Sequence, residues 1–359
     1  MGAEEGGCYT PDVISAFKNA IETKLQANKK VALWTHAYPD PDAIGSMMGM
    51  SWLLLNGFGL HSDCFYSGMV AHPQNNAICN LLDPQLLKTS EYDPKEYCMN
   101  ILLDTIPINA GVGEHKIDFD IVIDHHKEVP NGGFRGYYLN MKAGSCCGTV
   151  FPLMKLSKRW LEHDNEHDKK IATALIAGIV TDTEYLLSDD TTEYEFNAYQ
   201  GLFEYRNHNF LKEIVFFKRP KFWIDVKAKA STAARIDSEG YAIVGMGILP
   251  DKDRDLIADM ADEMIQWVGV ETAIAFAVVG GVKVEGSVRS DNASLSVSEF
   301  CKKLGGTHGT GGGKHGKGAY RYGLGNLELD PDEPEDSRVK TWELIKDKEY
   351  HRIQRMIKR

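Results

Sequence analysis

The stretch KKVALWTHAYPDPDAIGSMMGMSWLLLNG (29–57) decides how the rest of the chain is read. KKVALWTH (29–36) is a compact apolar run and reads as a buried strand, whereas AIGSMMGMSWLLLNG (43–57) reads as a helix closed by Gly57. Upstream, Val13, Ile14, Phe17, Ala20, Ile21 and Leu25 recur at helical spacing within 11–28. Downstream, HSDCFYS (61–67), NILLDT (100–105) and FDIVIDHH (119–126) read as further strands. Helices alternating with apolar strands predict an α/β fold with a largely parallel N-terminal sheet. Helical patterning resumes over 147–183, where KKIATALIAGIVTDT is apolar nearly all round and should be buried.

Past residue 190 a charged and aromatic stretch between Tyr194 and Trp223 suits helices that join two lobes. YAIVGMGIL (241–249) and TAIAFAVVGG (272–281) then flank a helix near 254–267, and a glycine-dense segment occupies 305–325. The expected organisation is a larger α/β domain over 1–190, a helical linker over 191–235 and a smaller α/β domain over 236–327. An acidic linker and a charged helix follow over 328–359, as a solvated or docking element. No internal repeat is visible.

Composition limits the function. The 359 residues carry a net charge of −11, which disfavours extensive binding to long duplex nucleic acid. No apolar run approaches the roughly 20 residues of a bilayer crossing, and no secretion or lipidation signal is apparent. Seven cysteines without CxxC spacing suggest buried thiols in a reducing cytoplasm, with Cys146 and Cys147 as packing residues.

Acidic and imidazole groups gather where strands end. His36, Asp40 and Asp42 follow the first strand, Asp104 ends NILLD, and Asp124, His125 and His126 end DIVID. Loops at the carboxyl ends of parallel strands share one crevice, so these residues converge. A single aspartate after a strand is ordinarily a helix cap or turn former. Several in one cleft repel each other unless cations neutralise them. Carboxylate and imidazole donors without thiolates favour manganese or magnesium over structural zinc. Asp182, ending the apolar helix, also needs a compensating partner. His163 and His167 have the i, i+4 spacing of a metal pair but read as an exposed helix face, and GVGEH (111–115) reads as a loop.

HAYPDPDAIGS (36–46), LLDT (102–105), IDHH (123–126) and GIVTDT (178–183) together resemble the metal motifs of the DHH phosphoesterases. SVRS (287–290), LSVSEF (295–300) and GTGGGKHGKGA (309–319) resemble motifs of the accompanying DHHA1 domain, the nearest type being the small oligoribonucleases. The resemblance implies two divalent cations, one held by His36, Asp40 and Asp104 and the other by Asp42, Asp104, His125 and Asp182. It further implies that Asp124 orients its neighbours and that His126 contacts the scissile phosphate. Ser287, Arg289, Gly311, Gly312, Gly313 and His315 would bind the substrate's terminal phosphate. Arginine offers a planar pair of donors for that task, and glycines let backbone amides approach an anion. Tyr38 stands where asparagine is common, and Lys314 and Lys317 add charge to the histidine motif.

The activity so implied is two-metal hydrolysis of very short oligonucleotides at the cleft between the lobes, with linear pGpG cleaved to two GMP as the specific expectation. Hydrolysis of 3′-phosphoadenosine 5′-phosphate (pAp) or of cyclic dinucleotides is the alternative within the family. A non-hydrolytic nucleotide sensor or RNA-binding module and a pyrophosphatase are the other readings. A symmetric dimer is the default assembly.

Overall fold

The computed structural model describes residues 11–130, 133–314 and 316–357, and the chain divides into two compact units, Met1–Lys218 and Arg219–Arg359. The first contains α1 (Pro11–Glu22), β1 (Lys30–Trp34), α2 (Pro41–Leu53), β2 (Ser62–Tyr66), α3 (Pro73–Leu82), β3 (Leu86–Lys88) and β4 (Tyr97–Leu103). It continues with β5 (Ile121–Ile123), β6 (Tyr137–Leu139), α4 (Cys146–Leu153), α5 (Glu166–Asp182), α6 (Glu193–Leu202) and α7 (His208–Val215). Its six strands lie in the order β3-β2-β1-β4-β5-β6, every pair parallel. The order reverses between β1 and β4, which opens a crevice at their carboxyl ends.

Alternation within β1 explains why the sheet is buried on both sides. Val31 and Leu33 enter the helix-covered core, while Ala32 and Trp34 enter a second layer of Phe65, Tyr92 and Tyr97. Right-handed crossovers send the connections on either side of the reversal to opposite faces. The β4–β5 connection and the described part of the β5–β6 connection contain no α-helix, so aromatic rings and loops cover that face. The β3–β4 connection holds only short 3₁₀ turns, so the expected helix–strand alternation stops at β3. Trp34 stacks on Phe65 with ring centroids 4.9 Å apart.

α2 begins at Asp40, whose Oδ1 accepts from the N–H groups of Asp42 and Ala43 at 3.0 Å, with Pro41 in the first turn. Its closing residue is Gly59 rather than Gly57. The helix widens into a π-type turn over Leu54–Phe58 that still contains Gly57, and Gly59 takes the left-handed φ of +71° that ends it. α5 packs directly on α2, and a Cβ on Gly45 would sit 2.6 Å from the Ala174 carbonyl oxygen.

The second unit contains α8 (Lys221–Ala233), β7 (Arg235–Ile236), β8 (Tyr241–Leu249), α9 (Leu256–Met264), β9 (Thr272–Val279), β10 (Lys283–Ser290), α10 (Val297–Gly305), β11 (Gly309–Lys314), β12 (Lys317–Gly323) and α11 (Glu335–Ile357). Its mixed sheet runs β11-β12-β10-β9-β8-β7, with only β8 and β9 parallel. Ala273, Ala275 and Ala277 face α8 and α9, and Ile274, Phe276 and Val278 face the other core with α10 and α11.

One expectation needs correction. The 191–235 stretch is not a separate linker, because Ala198, Leu202 and Ile214 are buried in the first core and Trp223 and Ala230 in the second. The charged terminal helix follows the docking reading rather than the solvated one. Trp342, Ile345, Tyr350 and Ile353 dock it on the sheet, and buried Glu349 accepts from the Tyr322 hydroxyl at 2.7 Å. The glycine-dense segment is a β-hairpin whose glycines make room for α10, since a Cβ on Gly311 would collide with the Cys301 carbonyl oxygen. No helix among the described residues is long and apolar enough to cross a membrane.

Candidate metal centre

The crevice at the β1/β4 reversal gathers side chains from five segments. The loop after β1 supplies His36 and Asp40, and the first turn of α2 supplies Asp42. Asp104 follows β4, Asp124 to His126 follow β5, and Asp182 ends α5. His36 Nε2 lies 3.4 Å from Asp104 Oδ2 and 3.9 Å from Asp40 Oδ2. On the other side of Asp104, His125 Nε2 lies 3.4 Å from Asp104 Oδ1, 3.3 Å from Asp182 Oδ2 and 3.9 Å from Asp42 Oδ2.

Three groups of possible ligand atoms lie within 4.8 Å of one another: His36, Asp40 and Asp104; Asp42, His125 and Asp182; and Asp104, His125 and His126. Asp104 adopts φ +60°, a strained conformation for a residue with a Cβ, and its N–H donates to the Ile123 carbonyl at 2.9 Å. That bond ties the end of β4 to the end of β5 and holds the shared carboxylate between the two imidazoles.

Supporting contacts fix the remaining groups. Asp42, fully buried, accepts from the N–H of Cys146 on Oδ2 at 2.6 Å and of Cys147 on Oδ1 at 2.9 Å, so the first turn of α4 aims it. Asp124 accepts from the backbone N–H groups of His125 and His126 and bonds His126 Nδ1 at 2.7 Å, which directs the His126 ring. Asn140 Nδ2 donates to the His126 carbonyl at 2.7 Å, and Asn75 Nδ2 to the Pro39 carbonyl at 2.9 Å. The α4 amides, Asn75 and Asn140 are absent from the sequence reading. Only the Ser145 cap before an apolar helix gives a local signal, because the contacts join residues up to 105 positions apart.

The electrostatics suit a cation. Burial opposes a charged His36, but the Asp104 hydrogen bond and the Asp40 and Asp104 charges prevail and push its pKa up to about 10. His125 is likewise driven to about 10, burial being outweighed by Asp104, Asp42 and Asp182. Burial, then the Asp104 and Asp182 charges, raise the Asp42 carboxyl well above the usual carboxylate range. Burial also opposes ionisation of Asp104, but the two imidazoles hold it far below that range. Four carboxyl groups thus converge on two imidazoles whose retained protons offset only part of their negative charge. Asp104 Oδ1 is buried and has no hydrogen-bond partner among the described residues. Oxygen and imidazole donors with unbalanced negative charge fit divalent cations of the harder kind.

In the second unit, Ser287, Gly311 and Gly312 line one cavity of about 440 Å³ with Arg254, Glu285, Thr310 and Arg321. Gly313 lies one position further along β11 and is not part of that lining. Arg289 is not in it either. Its guanidinium grips both oxygens of Asp262, at 2.5 and 3.2 Å, so an anion must share or displace that carboxylate. The two arginines that do line the cavity, Arg254 and Arg321, went unrecognised because neither sits in a motif. His315 lies outside the described residues. His163 stacks on Tyr205 with centroids 4.4 Å apart, and neither it nor His167 joins a possible ligand group among the described residues.

Residues 30–179 match the DHH family, N-terminal domain. An uncharacterized protein of Methanocaldococcus jannaschii is 30% identical over 296 residues, covering 80% of this chain and 58% of that protein. The cyclic-di-AMP phosphodiesterase GdpP of Geobacillus thermodenitrificans is 26% identical over 314 residues, covering 80% of this chain and 44% of GdpP. The chain thus spans about half the length of these curated relatives. An exopolyphosphatase-related protein from Bacteroides fragilis shares the fold, with a TM-score of 0.64 at 15% identity over 96% of this chain and 98% of that one. The matched stretch 30–179 holds His36, Asp40, Asp42, Asp104 and Asp124 to His126, so these residues are similar to the N-terminal domain of the DHH family.

Proposed function

We propose that the chain is a metal-dependent phosphodiesterase acting on very short nucleotides, with linear dinucleotides such as pGpG cleaved to 5′-monophosphates. The observation that carries the reading is the sharing of buried Asp104 between the His36 side and the His125 side of the crevice. His36, Asp40 and Asp104 would hold one divalent ion, and Asp42, Asp104, His125 and Asp182 the other, manganese or magnesium in either place. When bound, the pair would supply the charge that activates water and neutralises phosphate oxygens.

The chain's own groups do the rest. His126, its Nδ1 engaged by Asp124, would offer Nε2 to a non-bridging oxygen of the scissile phosphate, a hydrogen bond that would strengthen as negative charge builds there. Asp124 acts through His126 rather than on the substrate. In the second unit, which we assign as the DHHA1 domain, Ser287, Arg289, Gly311, Gly312, Gly313 and His315 would take the terminal phosphate, beside Arg321 and an Arg254 that is paired with Glu285 at 2.8 Å. A net charge of −11 favours a short substrate over a long polymer, which rewards an extended basic track. The cyclic-di-AMP activity named for GdpP supports a nucleotide phosphodiester as the substrate class. A cytoplasmic homodimer is the proposed working form.

The test is turnover of pGpG, other dinucleotides, pAp, cyclic dinucleotides and pyrophosphate with Mn²⁺ or Mg²⁺. His126→Ala should retain metal and lose about 10²–10³-fold in kcat. Release of phosphate from pyrophosphate, with no dinucleotide cleaved, would contradict the proposal.

A further inference from the structure

Six exposed apolar side chains of the first unit lie on loops at the sheet edge that carries the metal centre, and others, such as Phe196 and Phe216, lie elsewhere. Tyr38, Met69, Ile108, Val129, Tyr185 and Leu187 are all exposed, and each lies on a loop that leaves a carboxyl end of β1, β2, β4 or β5 or the end of α5. Ile108 and Leu187, at 71% and 82%, are among the most exposed apolar residues of the chain. An apolar rim around a charged crevice costs solvation in the free protein and marks a binding surface.

Two members of the rim are tyrosines held at a conformational cost. Tyr38 has φ +61° between the ligand candidates His36 and Asp40, its N–H donating to the Ser67 carbonyl at 3.2 Å and its ring packed over Gly68. Tyr185 has φ +61° within three consecutive left-handed residues, Glu184 to Leu186, that begin two positions after Asp182. A run of that kind is rare and strained for residues with a Cβ. The Thr183 hydroxyl, accepting from the Leu186 N–H at 3.2 Å, and the Tyr185 N–H, donating to the Val180 carbonyl at 2.7 Å, pin it in place. Tyr38 and Tyr185 remain 45% and 54% exposed, on two loops whose acidic residues meet at one centre.

Resting on the phosphodiesterase reading, we propose that Tyr38 and Tyr185 are base-engaging specificity residues: each offers its ring to a nucleobase beside the scissile phosphate, so that the centre selects nucleotides over base-free phosphates. Flat rings on strained, pinned backbone suit stacking on a heterocycle. Pyrophosphate and polyphosphate chains offer nothing for them to hold, and aromatic stacking tolerates any base.

The experiment compares wild type with Tyr38→Ala, Tyr38→Phe, Tyr185→Ala and Tyr185→Phe. Substrates are pGpG, pApA and dinucleotides in which one base is replaced by an abasic sugar, and metal content is measured for every variant. Each alanine variant should raise KM for pGpG and pApA about tenfold with kcat near wild type. Phenylalanine should restore KM, and the alanine penalty should vanish on the abasic substrate matching that ring. An unchanged KM, or an equal penalty on base-bearing and abasic substrates, overturns the inference, as does loss of self-association without a change in KM. If wild type binds dinucleotides without cleaving them, the hydrolase reading fails alone and equilibrium dialysis of the same variants decides the role of the tyrosines. A wild type that binds no dinucleotide removes both.

Discussion

Gly178 on α5 faces Asp42 on α2 so closely that a Cβ on the glycine would come within 2.9 Å of the Asp42 Cα. The same Cβ would lie 2.5 Å from Cys147 Sγ, so neither the acidic residue nor the turn of α4 that aims it can be left undisturbed. Gly178 stands one helical turn before Asp182, and the close approach is what lets two carboxylates from different helices serve one crevice.

Gly178→Ala should therefore destabilise the fold by about 1–3 kcal/mol through overpacking, and should weaken metal binding as well. Gly49→Ala is the control. Its Cβ would meet the end of the Leu175 side chain at 2.8 Å, away from the crevice, so it should lower the melting temperature yet leave metal affinity unchanged. Thermal melts with and without Mn²⁺ check both. Equal metal affinity in the two variants would count against a positioning role for Gly178.

The backbone amides of α4 give a second prediction. Cys146 opens the helix, where proline is tolerated because that N–H has no partner within the helix, and Ser145 before it is extended at φ −151° and ψ 155°. Cys146→Pro should keep the fold while removing the donor to Asp42 Oδ2, weakening metal affinity about 10–100-fold. Cys146→Ala should keep the affinity. Isothermal titration with Mn²⁺ distinguishes the two, and equal affinities would show that the amide does not aim the carboxylate.

Metal-free protein should lose stability as pH rises. His36 and His125 hold their protons up to about 10 in the folded chain against 6.5 for an ordinary imidazole. Their stabilising contribution is complete below 6.5 and disappears as pH climbs through the folded value. Asp42, also raised, acts in the same sense, whereas Asp104, lowered, matters only in acid. Metal requires neutral imidazoles and ionised carboxylates, so the gain from added Mn²⁺ should grow across the same window. Melting temperatures in EDTA that stay level or increase from pH 6.5 to 10 would contradict the proton inventory assigned to the centre.

Much of the centre was legible because it is built locally. His36, Asp40, Asp104 and His125 follow apolar runs directly, and parallel strands send their carboxyl ends to one edge. What escaped depends on packing between distant segments. Nothing in SCCG announces that its amides meet a carboxylate more than 100 positions earlier. Glycines at 309–313 suit an anion loop as well as a hairpin under a helix, and only α10 decides between them. The charged face of α11 concealed Trp342, Ile345 and Ile353, spaced to bury one stripe. Arg289 was identified by its motif, but its partner Asp262 lies on α9, 27 positions away.

The central claim is a twin-cation site joined by Asp104. Equilibrium dialysis against Mn²⁺ with elemental analysis, on wild type and Asp104→Ala, tests it most directly. The account predicts two ions per wild-type chain and loss of both, or retention of one weakly bound ion, in the variant. A wild type that takes up no ion, or an Asp104→Ala protein that holds two with undiminished affinity, would contradict it.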